Sequence, residues 1–320
     1  MAPRIAVVGA TGLVGEVLLR VLEERAFPVG EVCLLSSAKS AGTPVRFRGR
    51  EWKTAPASAE ALRGFDFVFF AATGELSRTL APVAAEGGAR VIDKSSTWRM
   101  DPEVPLVVPE INAAALTRHR GIIACPNCTT IGLVMALEPL RRAAGIAHVT
   151  VTTLQAASGA WREALEELAG RPHGVFPRPL AANVVPQCDR FHDDDYTAEE
   201  HKLRDETRKI LTLGALPVAM TCVRVPVAVG HSASVLVETE RALAVEDACA
   251  ALRAFPGVRL LEGRDYPTPL EIAGRDEVFV GRVRADPTHP RRLWLWCVLD
   301  NLRKGAATNA VQIAEELLRR

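Results

Sequence analysis

The stretch CPNCTT, residues 125–130, carries residue types suited to nucleophilic catalysis. A buried apolar run at 121–124 comes directly before it, and an apolar pattern typical of a helix covers 131–144. A cysteine in the first turn of a helix faces unpaired backbone N–H groups and the positive end of the helix dipole, which favour the thiolate over the thiol. We therefore expect Cys128 to attack a carbonyl or acyl-phosphate carbon and to hold a covalent intermediate.

The cysteine also needs a base, because a thiol with an ordinary pKa of about 8.5 is only a few per cent ionised at neutral pH. His231 is the best candidate among the seven histidines, since it stands in a polar turn, Gly230-His231-Ser232, that precedes a predicted strand. The residues alone leave one alternative open, which is a structural or solvated role for His231.

A glycine-rich turn near the N-terminus could bind a dinucleotide. GATGLVG, residues 9–15, follows an apolar strand predicted at 4–8 and opens a helix predicted at 13–24. Glycines let the backbone approach a pyrophosphate, which rests on the helix N-terminus. The spacing is G-x-x-G-x-x-G rather than G-x-G-x-x-G, and a glycine turn without a ligand is the alternative. The residues assigned to this part of a cofactor site are Gly9, Thr11, Gly12, Leu13 and Val14.

The end of the second predicted strand, residues 31–35, indicates which nicotinamide cofactor binds. NAD-preferring domains usually carry Asp or Glu here to bind the ribose 2′-hydroxyl. This chain has hydroxyl groups and a cation instead, which suit a 2′-phosphate, so we expect NADP; a solvated polar loop is the alternative. The residues concerned are Ser36, Ser37, Lys39 and Ser40.

The predicted elements divide the chain into two domains. Strands alternate with helices up to about residue 126, which predicts an α/β fold with a Rossmann-type, doubly wound parallel sheet. Strands and helices then segregate, which predicts an α+β catalytic domain over 127–301 that includes a helix at 197–211. We expect the first domain, 1–126, to bind NADP and to be completed by a C-terminal helix within 302–320.

Composition and charge exclude several classes of protein. The chain has 320 residues, of which 48% are hydrophobic and 24% charged, as in an ordinary globular protein. A formal net charge of +1 gives no general electrostatic reason to bind nucleic acid or an anionic membrane. Seven scattered cysteines and the lack of an export signal predict reduced thiols and a cytoplasmic protein.

Eight segments in order along nearly the whole chain resemble the aspartate-β-semialdehyde dehydrogenase family. They are GATGLVG (9–15), SSTWRM (95–100), PNCTT (126–130), QAASGA (155–160), EEHK (199–202), RVPVAVGHSASV (224–235), PTPLEIAGRDEVFVGRVRAD (267–286) and RKGAATNAVQIAE (303–315). The resemblance implies reversible conversion of L-aspartyl-4-phosphate and NADPH into L-aspartate 4-semialdehyde, NADP and phosphate. This is a step toward lysine, threonine and methionine.

The resemblance also implies catalytic roles at the positions that match. Cys128 would form a thioester, His231 would be the acid/base catalyst, and Gln155 would orient the acyl group. The cofactor site would further include Thr73, Ser158, Gly159 and Asn309, with Asn309 near the nicotinamide. On residues alone, the last of these could equally cap the final helix.

The substrate that the resemblance implies carries a phosphate, a carboxylate and an ammonium group. Arg99 and Lys202 would bind the phosphate, with Asn127 nearby. Arg224 would bind the α-carboxylate, and Glu199 would meet the ammonium. Glu199 and Lys202 are three residues apart and share a helical face, where an ordinary surface ion pair is the alternative.

Other readings of the sequence remain open. Cys125 and Cys128 form a C-x-x-C pair, which can signal a redox pair or half a zinc site, although no second pair follows. N-acetylglutamyl-phosphate reductase is the nearest enzyme alternative, against which the Glu199 stretch suits a free ammonium. A catalytically silent NADP-binding paralogue is a third reading. The segment 192–195 could suggest a metal site, but a solvated loop is the better interpretation, and we expect no metal.

Trp161 departs from the family pattern, and the oligomeric state is implied by the resemblance alone. The family usually has glycine after Ala160, where this chain has Trp161, so the size of the pocket is in question. The resemblance implies a homodimer or a dimer of dimers, with the second domain as the interface.

Overall fold

The structure is a computed structural model that describes residues 2–171 and 173–320. The chain forms two compact units. The first contains the chain up to Asn127 together with Ala306–Arg320, and the second contains Cys128–Gly305. No helix among the described residues has the length and apolar character needed to cross a membrane.

The described residues contain nine α-helices and fourteen β-strands. The helices are α1 Leu13–Glu24, α2 Gly74–Glu86, α3 Pro109–Asn112, α4 Cys128–Ala144, α5 Trp161–Leu168, α6 Ala198–Leu211, α7 Val245–Ala254, α8 Pro269–Ile272 and α9 Thr308–Arg319. The strands are β1 Arg4–Val8, β2 Glu31–Ser36, β3 Pro44–Phe47, β4 Arg50–Lys53, β5 Ala55–Pro56, β6 Phe67–Phe70, β7 Arg90–Asp93, β8 Ile122–Ala124, β9 His148–Gln155, β10 Val218–Arg224, β11 His231–Glu238, β12 Val258–Leu260, β13 Val278–Ala285 and β14 Arg292–Leu299.

The first unit is built on a six-stranded sheet in the order β5-β2-β1-β6-β7-β8. Every neighbouring pair in this sheet is parallel, which confirms the predicted Rossmann-type architecture. The strand order reverses between β1 and β6. In open α/β sheets of this kind, that reversal is where ligands bind, beside the carboxyl ends of the strands.

The central strands of this sheet are buried on both faces, which is why their sequences are continuously apolar. Phe67 and Phe69 of β6 meet the ring of Phe27 edge-on, at centroid distances of 6.0 and 6.4 Å. Their neighbours Val68 and Phe70 point the other way and join a second apolar cluster. Helices on both faces are thus required to exclude water from the sheet.

The second unit is built on a mixed six-stranded sheet in the order β10-β9-β11-β14-β13-β12. β9 pairs parallel with β10 but antiparallel with β11. The α4 helix is buried along most of its length. Its Gly132 lies against Leu299 of β14, where a Cβ atom would come within 2.8 Å of the leucine side chain. The glycine therefore lets the helix that carries the nucleophile pack closely on the sheet.

The sequence correctly predicted elements with strong local signals and missed those without them. The helix predicted from Thr197 is α6, and Thr197 caps it in a capping box with Glu200. The β3–β4 hairpin was missed because its strands are short and largely exposed. β13 was missed because a bulge between Gly281 and Arg284 interrupts its alternation.

Candidate active site

Cys128 is the first residue of α4, as the sequence predicted. Its Sγ lies 3.3 Å from Nε2 of His231, the first residue of β11. The thiol is partly exposed, whereas the imidazole is buried. The structure therefore brings together the two side chains that the sequence predicts as nucleophile and base, although they are 103 residues apart.

The other ring nitrogen of His231 fixes its tautomer. The backbone N–H of Ala156 donates a hydrogen bond to Nδ1 at 3.0 Å. A backbone N–H can only donate, so Nδ1 must be unprotonated and a neutral ring carries its proton on Nε2, facing the sulfur. Burial, and then the nearby positive charge of Arg224, lowers the pKa of His231 to about 3. The ring is thus a neutral N–H donor to Cys128.

Two glycines leave space around this pair. A Cβ atom on Gly305 would lie 2.9 Å from Cβ of Cys128. A Cβ atom on Gly159 would lie 3.0 Å from Cε1 of His231 and 3.1 Å from a guanidinium nitrogen of Arg224. Gly159 is itself exposed. A side chain at either glycine would crowd the reacting groups.

Arg224, at the end of β10, is held by the same loop that orients the histidine. Its Nη1 donates to the carbonyl oxygen of Ala156 at 2.7 Å. The guanidinium carbon lies 5.9 Å from the ring centre of Phe176, and the backbone of Arg224 pairs with Val185 in both directions. The two backbone groups of Ala156 therefore orient both His231 and Arg224.

Gln155 and Ser158 flank Ala156 in this loop, and both are buried. The Gln155 side-chain amide donates to Oγ1 of Thr153 at 3.3 Å. The Ser158 hydroxyl and the Asn301 side chain are hydrogen-bonded at 2.9 Å, and Asn301 also accepts a bond from the backbone of Gly230. These bonds hold the loop and the turn before His231 in one conformation.

Glu199 and Lys202 lie on the first turns of α6 and form an ion pair with a 3.3 Å separation. The Lys202 ammonium also contacts Oδ2 of Asp189 at 2.7 Å. Glu199 is buried, whereas Lys202 is partly exposed. The adjacent Glu200 has a structural role, since one carboxylate oxygen accepts from the backbone of Cys222.

In the first unit, the predicted glycine turn has a geometry that only glycine permits. Gly9 has a φ of 89°, and a Cβ atom there would lie 2.3 Å from the carbonyl oxygen of Ala71. A Cβ atom on Gly15 would lie 2.1 Å from the carbonyl oxygen of Gly9. Gly12 precedes α1, and no described side chain caps that helix. Thr11, Leu13 and Val14 lie in the same turn, which leaves a cradle of backbone N–H groups suited to a pyrophosphate.

The residues assigned to a 2′-phosphate divide into two groups. Ser36 is buried, and its hydroxyl lies 3.2 Å from Oγ1 of Thr54. Ser37 and Lys39 are exposed at the end of β2, and Ser40 is partly exposed beside them. The exposed hydroxyl and ammonium groups are thus the ones available to an anion, and Ser36 supports their loop from within.

Thr73 and Arg99 are anchored within the first unit. Thr73 caps α2, with its hydroxyl accepting from the backbone of Leu76. Arg99 is buried and donates to the carbonyl oxygen of Lys94 at 2.8 Å. Asn127 is buried at the end of this unit, directly before Cys128 in the chain.

The second cysteine of the C-x-x-C pair has different surroundings from Cys128. Cys125 is fully buried, and its sulfur accepts a bond at 3.1 Å from the Asn309 side chain. The same amide nitrogen donates to the carbonyl oxygen of Val107 at 2.9 Å. Asn309 is thus a buried residue near the start of α9, and all seven cysteines have free thiols.

Trp161 has strained backbone geometry. Its φ of 74° and ψ of −174° lie in a region that is normally restricted to glycine, and its side chain is 58% exposed. The residue stands where the Gly159 loop enters α5. A glycine at this position would adopt the same backbone without strain.

The acidic segment before α6 is held by contacts with His201 in the first turns of that helix. The rings of His192 and His201 stack at 4.6 Å, and His201 pairs with Asp194 at 2.9 Å. Across residues 2–171 and 173–320, no group of three or more His, Cys, Asp or Glu side chains could hold a metal ion.

Comparison with known proteins identifies the family. Two family models cover most of the chain: the semialdehyde dehydrogenase NAD binding domain at residues 4–119 and the semialdehyde dehydrogenase dimerisation domain at 137–304. Aspartate-semialdehyde dehydrogenase of Aquifex aeolicus is 46% identical over 336 residues, which cover 100% of this chain and 99% of the relative. The chain belongs to the aspartate-semialdehyde dehydrogenase family.

Solved structures of the family agree with this result. Aspartate semialdehyde dehydrogenase II of Vibrio cholerae, crystallised in complex with ASA, has a TM-score of 0.96 at 44% identity and covers 100% of this chain and 99% of its own. The enzyme of Candida albicans, crystallised with NADP, has a TM-score of 0.78 at 25% identity, with 99% coverage of both chains. The chain is therefore an oxidoreductase of amino-acid biosynthesis that uses a nicotinamide cofactor and small-molecule substrates, in a family with a dimerisation domain.

Several residues that shape this site cannot be recognised from the sequence alone. Ala156 acts through its backbone, so its side chain gave no signal. Gly305 lies inside the RKGAATN segment, where its small size could have suggested close approach. Asp189 and Asn301 are polar residues next to predicted elements, but only the fold reveals their partners, Lys202 and Ser158.

Proposed function

We propose that the chain catalyses the reversible, NADPH-dependent reductive dephosphorylation of L-aspartyl-4-phosphate to L-aspartate 4-semialdehyde, in the biosynthesis of lysine, threonine and methionine. The observation that carries this proposal is the 3.3 Å contact between Cys128 and His231 at the N-terminus of α4. Family membership and the ASA complex of the Vibrio cholerae relative support the substrate.

The chemistry proceeds through a thioester. The Cys128 thiolate attacks the acyl carbon, and phosphate leaves with the electron pair of the carbon–oxygen bond. Bound NADPH supplies the hydride that reduces the thioester carbon. The resulting oxyanion re-forms its carbonyl as the carbon–sulfur bond breaks, which gives the aldehyde and restores the thiolate. The proton consumed overall ends on the phosphate.

His231 acts in this scheme as an N–H donor. The bond from Ala156 to its Nδ1 supports a ring that donates from Nε2, first to the thiolate and then to the oxyanion. Direct collapse of the oxyanion requires no net proton from the ring. This role is narrower than the acid/base catalysis that the family resemblance implies, and the two make different predictions.

Four side chains of the second unit are assigned to the substrate in this proposal. Arg224 binds the α-carboxylate, because its guanidinium is buried and preorganised by Ala156. Glu199 meets the ammonium and Lys202 the phosphate. Gln155 orients the acyl group.

The first unit supplies further binding groups. We assign Arg99 to the phosphate with Asn127 nearby, and Thr73 and Asn309 to the cofactor, together with Ser158 and Gly159 of the second unit. We assign the cofactor-binding role to residues 1–126 with 302–320 and the catalytic and dimerisation role to 127–301.

NADP is the proposed cofactor. The cradle around Gly9 and Gly15 fits a pyrophosphate, since added Cβ atoms would collide with backbone there. Exposed Ser37 and Lys39 fit a 2′-phosphate at the end of β2, with Ser40 beside them. The NADP complex of the Candida albicans relative supports the same choice.

The proposed assembly is a homodimer, alone or as a dimer of dimers, formed through the open face of the second sheet. Leu154, Leu236, Trp294 and Trp296 share that face and are only partly buried in the single chain. A cleft of about 350 Å³ adjoins Trp296. A second copy would cover this apolar surface, in keeping with the dimerisation domain of the family.

The free thiols support a cytoplasmic location.

The experiment that tests this function is a phosphate-dependent assay with aspartate semialdehyde and NADP, repeated with NAD and with Cys128→Ala. We expect NADPH production that needs phosphate and disappears in the variant. Absence of NADPH production would refute the function, and equal rates with NAD would refute the cofactor. Turnover of N-acetylated but not of free substrate would favour the N-acetylglutamyl-phosphate reductase alternative. An active Cys128→Ala variant would refute the thioester.

A further inference from the structure

The Lys202 ammonium is shared between two carboxylates of the second unit. It lies 2.7 Å from Oδ2 of Asp189 and 3.3 Å from Oε2 of Glu199. Glu199 belongs to the same helix, one turn earlier, and is buried. Asp189 belongs to the irregular segment between α5 and α6. The shorter of the two contacts is therefore made by a residue on a different and irregular segment.

The local backbone holds Asp189 in this position. Its φ is 69°, a value that Asp and Asn adopt more readily than most residues, and its Oδ1 accepts a bond from the backbone N–H of Arg190 at 2.8 Å. Burial alone would raise the pKa of Asp189, but the hydrogen bond and charge of Lys202 outweigh it and lower the pKa. Asp189 is thus a carboxylate, not a carboxylic acid, at neutral pH.

The pair is accessible to a competing anion. The Lys202 side chain is 27% exposed and that of Asp189 is 41% exposed. An ion pair with this degree of exposure changes an equilibrium by only about 1.5- to 5-fold, because water and salt screen it. A phosphate dianion carries more charge than a carboxylate and could replace Asp189 on the ammonium.

We propose that Asp189 is a displaceable counter-anion of the phosphate subsite. Asp189 pairs with Lys202 until phosphate binds, and it pairs with Lys202 again after phosphate leaves. This inference rests on the proposed function, in which Lys202 binds the phosphate of the substrate. Competition from Asp189 weakens phosphate binding and speeds its release after the thioester has formed. The thioester is then less exposed to attack by the phosphate just expelled.

A purely orienting role for Asp189 predicts the opposite sign. If Asp189 served to aim Lys202 at the phosphate, its removal would weaken phosphate binding. Glu199 already orients Lys202 from within the helix, however, and a second carboxylate adds repulsion toward an incoming dianion. The sign of the change in phosphate affinity therefore separates the two roles.

The test compares Asp189→Asn with Asp195→Asn in the full-length enzyme. Asp195 lies on the same segment, also has a positive φ, of 63°, and is exposed, so it controls for charge and backbone. Inorganic phosphate is titrated both in the aldehyde-oxidising assay and by calorimetry. We expect Asp189→Asn to lower the KM and the Kd for phosphate about threefold, and at most about fivefold. The KM for aspartate semialdehyde should stay within about twofold, and Asp195→Asn should change neither constant.

Two further variants keep the outcome decisive. Asp189→Gly removes the carboxylate while permitting the same backbone, and it replaces Asp189→Asn if the latter fails to fold. In a Lys202→Ala background, removal of Asp189 should no longer tighten phosphate binding. An unchanged or weaker phosphate affinity without Asp189 would overturn the inference. Absence of phosphate-dependent turnover in the wild type would overturn the proposed function instead, while calorimetry would still report on Asp189.

Discussion

Two clusters of side chains in the second unit are held in place in contrasting ways. The first cluster contains His231 and Arg224, which are buried and bonded to the backbone of Ala156. The second contains Lys202, which is bonded to the carboxylates of Glu199 and Asp189; Lys202 and Asp189 partly reach solvent. Backbone groups cannot be exchanged for a ligand, whereas a partner carboxylate can. The first cluster is thus built to stay fixed, and the second to change partners.

This difference matches the chemistry that each cluster serves in the proposed reaction. Charge that develops in the transition state is stabilised best by dipoles that are already in place, which favours fixed donors around Cys128. Phosphate must instead enter and leave in every turnover. Substitutions in the fixed cluster should therefore reduce activity the most, and substitutions in the exchangeable cluster should reduce it the least.

Within the two clusters, replacement of His231 should have the largest effect on turnover. His231→Ala should lower kcat by about 10²- to 10³-fold, as loss of one oxyanion donor does in other enzymes. His231→Gln can still present an N–H to the sulfur and should recover at least about tenfold of that loss. Steady-state kinetics with NADP would measure both variants. A glutamine variant as slow as the alanine variant would contradict the donor role and favour proton transfer.

Arg224→Lys should have an intermediate effect on the fixed cluster. A lysine cannot bond both Ala156 and a carboxylate with one planar group, so a charged hydrogen bond worth about 2–3 kcal/mol is lost. We expect the KM for aspartate semialdehyde to rise about 30- to 100-fold while the KM for NADP stays constant. A change of less than about threefold would show that Arg224 is not fixed on the substrate.

Glu199→Gln tests the exchangeable cluster and should have a smaller effect. The substrate ammonium loses one charged partner, which should raise the KM for aspartate semialdehyde about tenfold, since a factor of ten corresponds to about 1.4 kcal/mol. Arg208→Gln, farther along the same helix, serves as a control and should leave the KM for aspartate semialdehyde unchanged. An increase as large as that of Arg224→Lys would erase the contrast between the clusters.

The sequence predicted the elements that are encoded locally. The strand β1 and the helix α1 were predicted with their exact bounds, Arg4–Val8 and Leu13–Glu24, because their apolar patterns are clear. The helix at 197–211 was predicted because its start is encoded locally, in a capping box that lies within four residues. Local signals were also sufficient to predict that Cys128 begins a helix.

Other features depend on contacts between distant parts of the chain. Ala156 orients His231 through a backbone group, which no pattern of side chains can reveal. Asp189 has no local feature that distinguishes it from Asp195, and only the fold brings it to Lys202. Ser36 looked like its neighbours in sequence, but it is the last residue of β2, where the strand is buried on both faces.

The most direct test of the proposed site is the pH dependence of Cys128 alkylation by iodoacetamide in the free enzyme, with modified residues located by mass spectrometry. We expect labelling at the partly exposed Cys128 rather than at the buried Cys125. At pH values below the midpoint of the alkylation profile, the alkylation rate should fall about tenfold per pH unit. No second plateau should appear, because Cys128 alone titrates. A rate that stays high down to about pH 5 would reveal a thiolate–imidazolium pair and contradict the assigned tautomer.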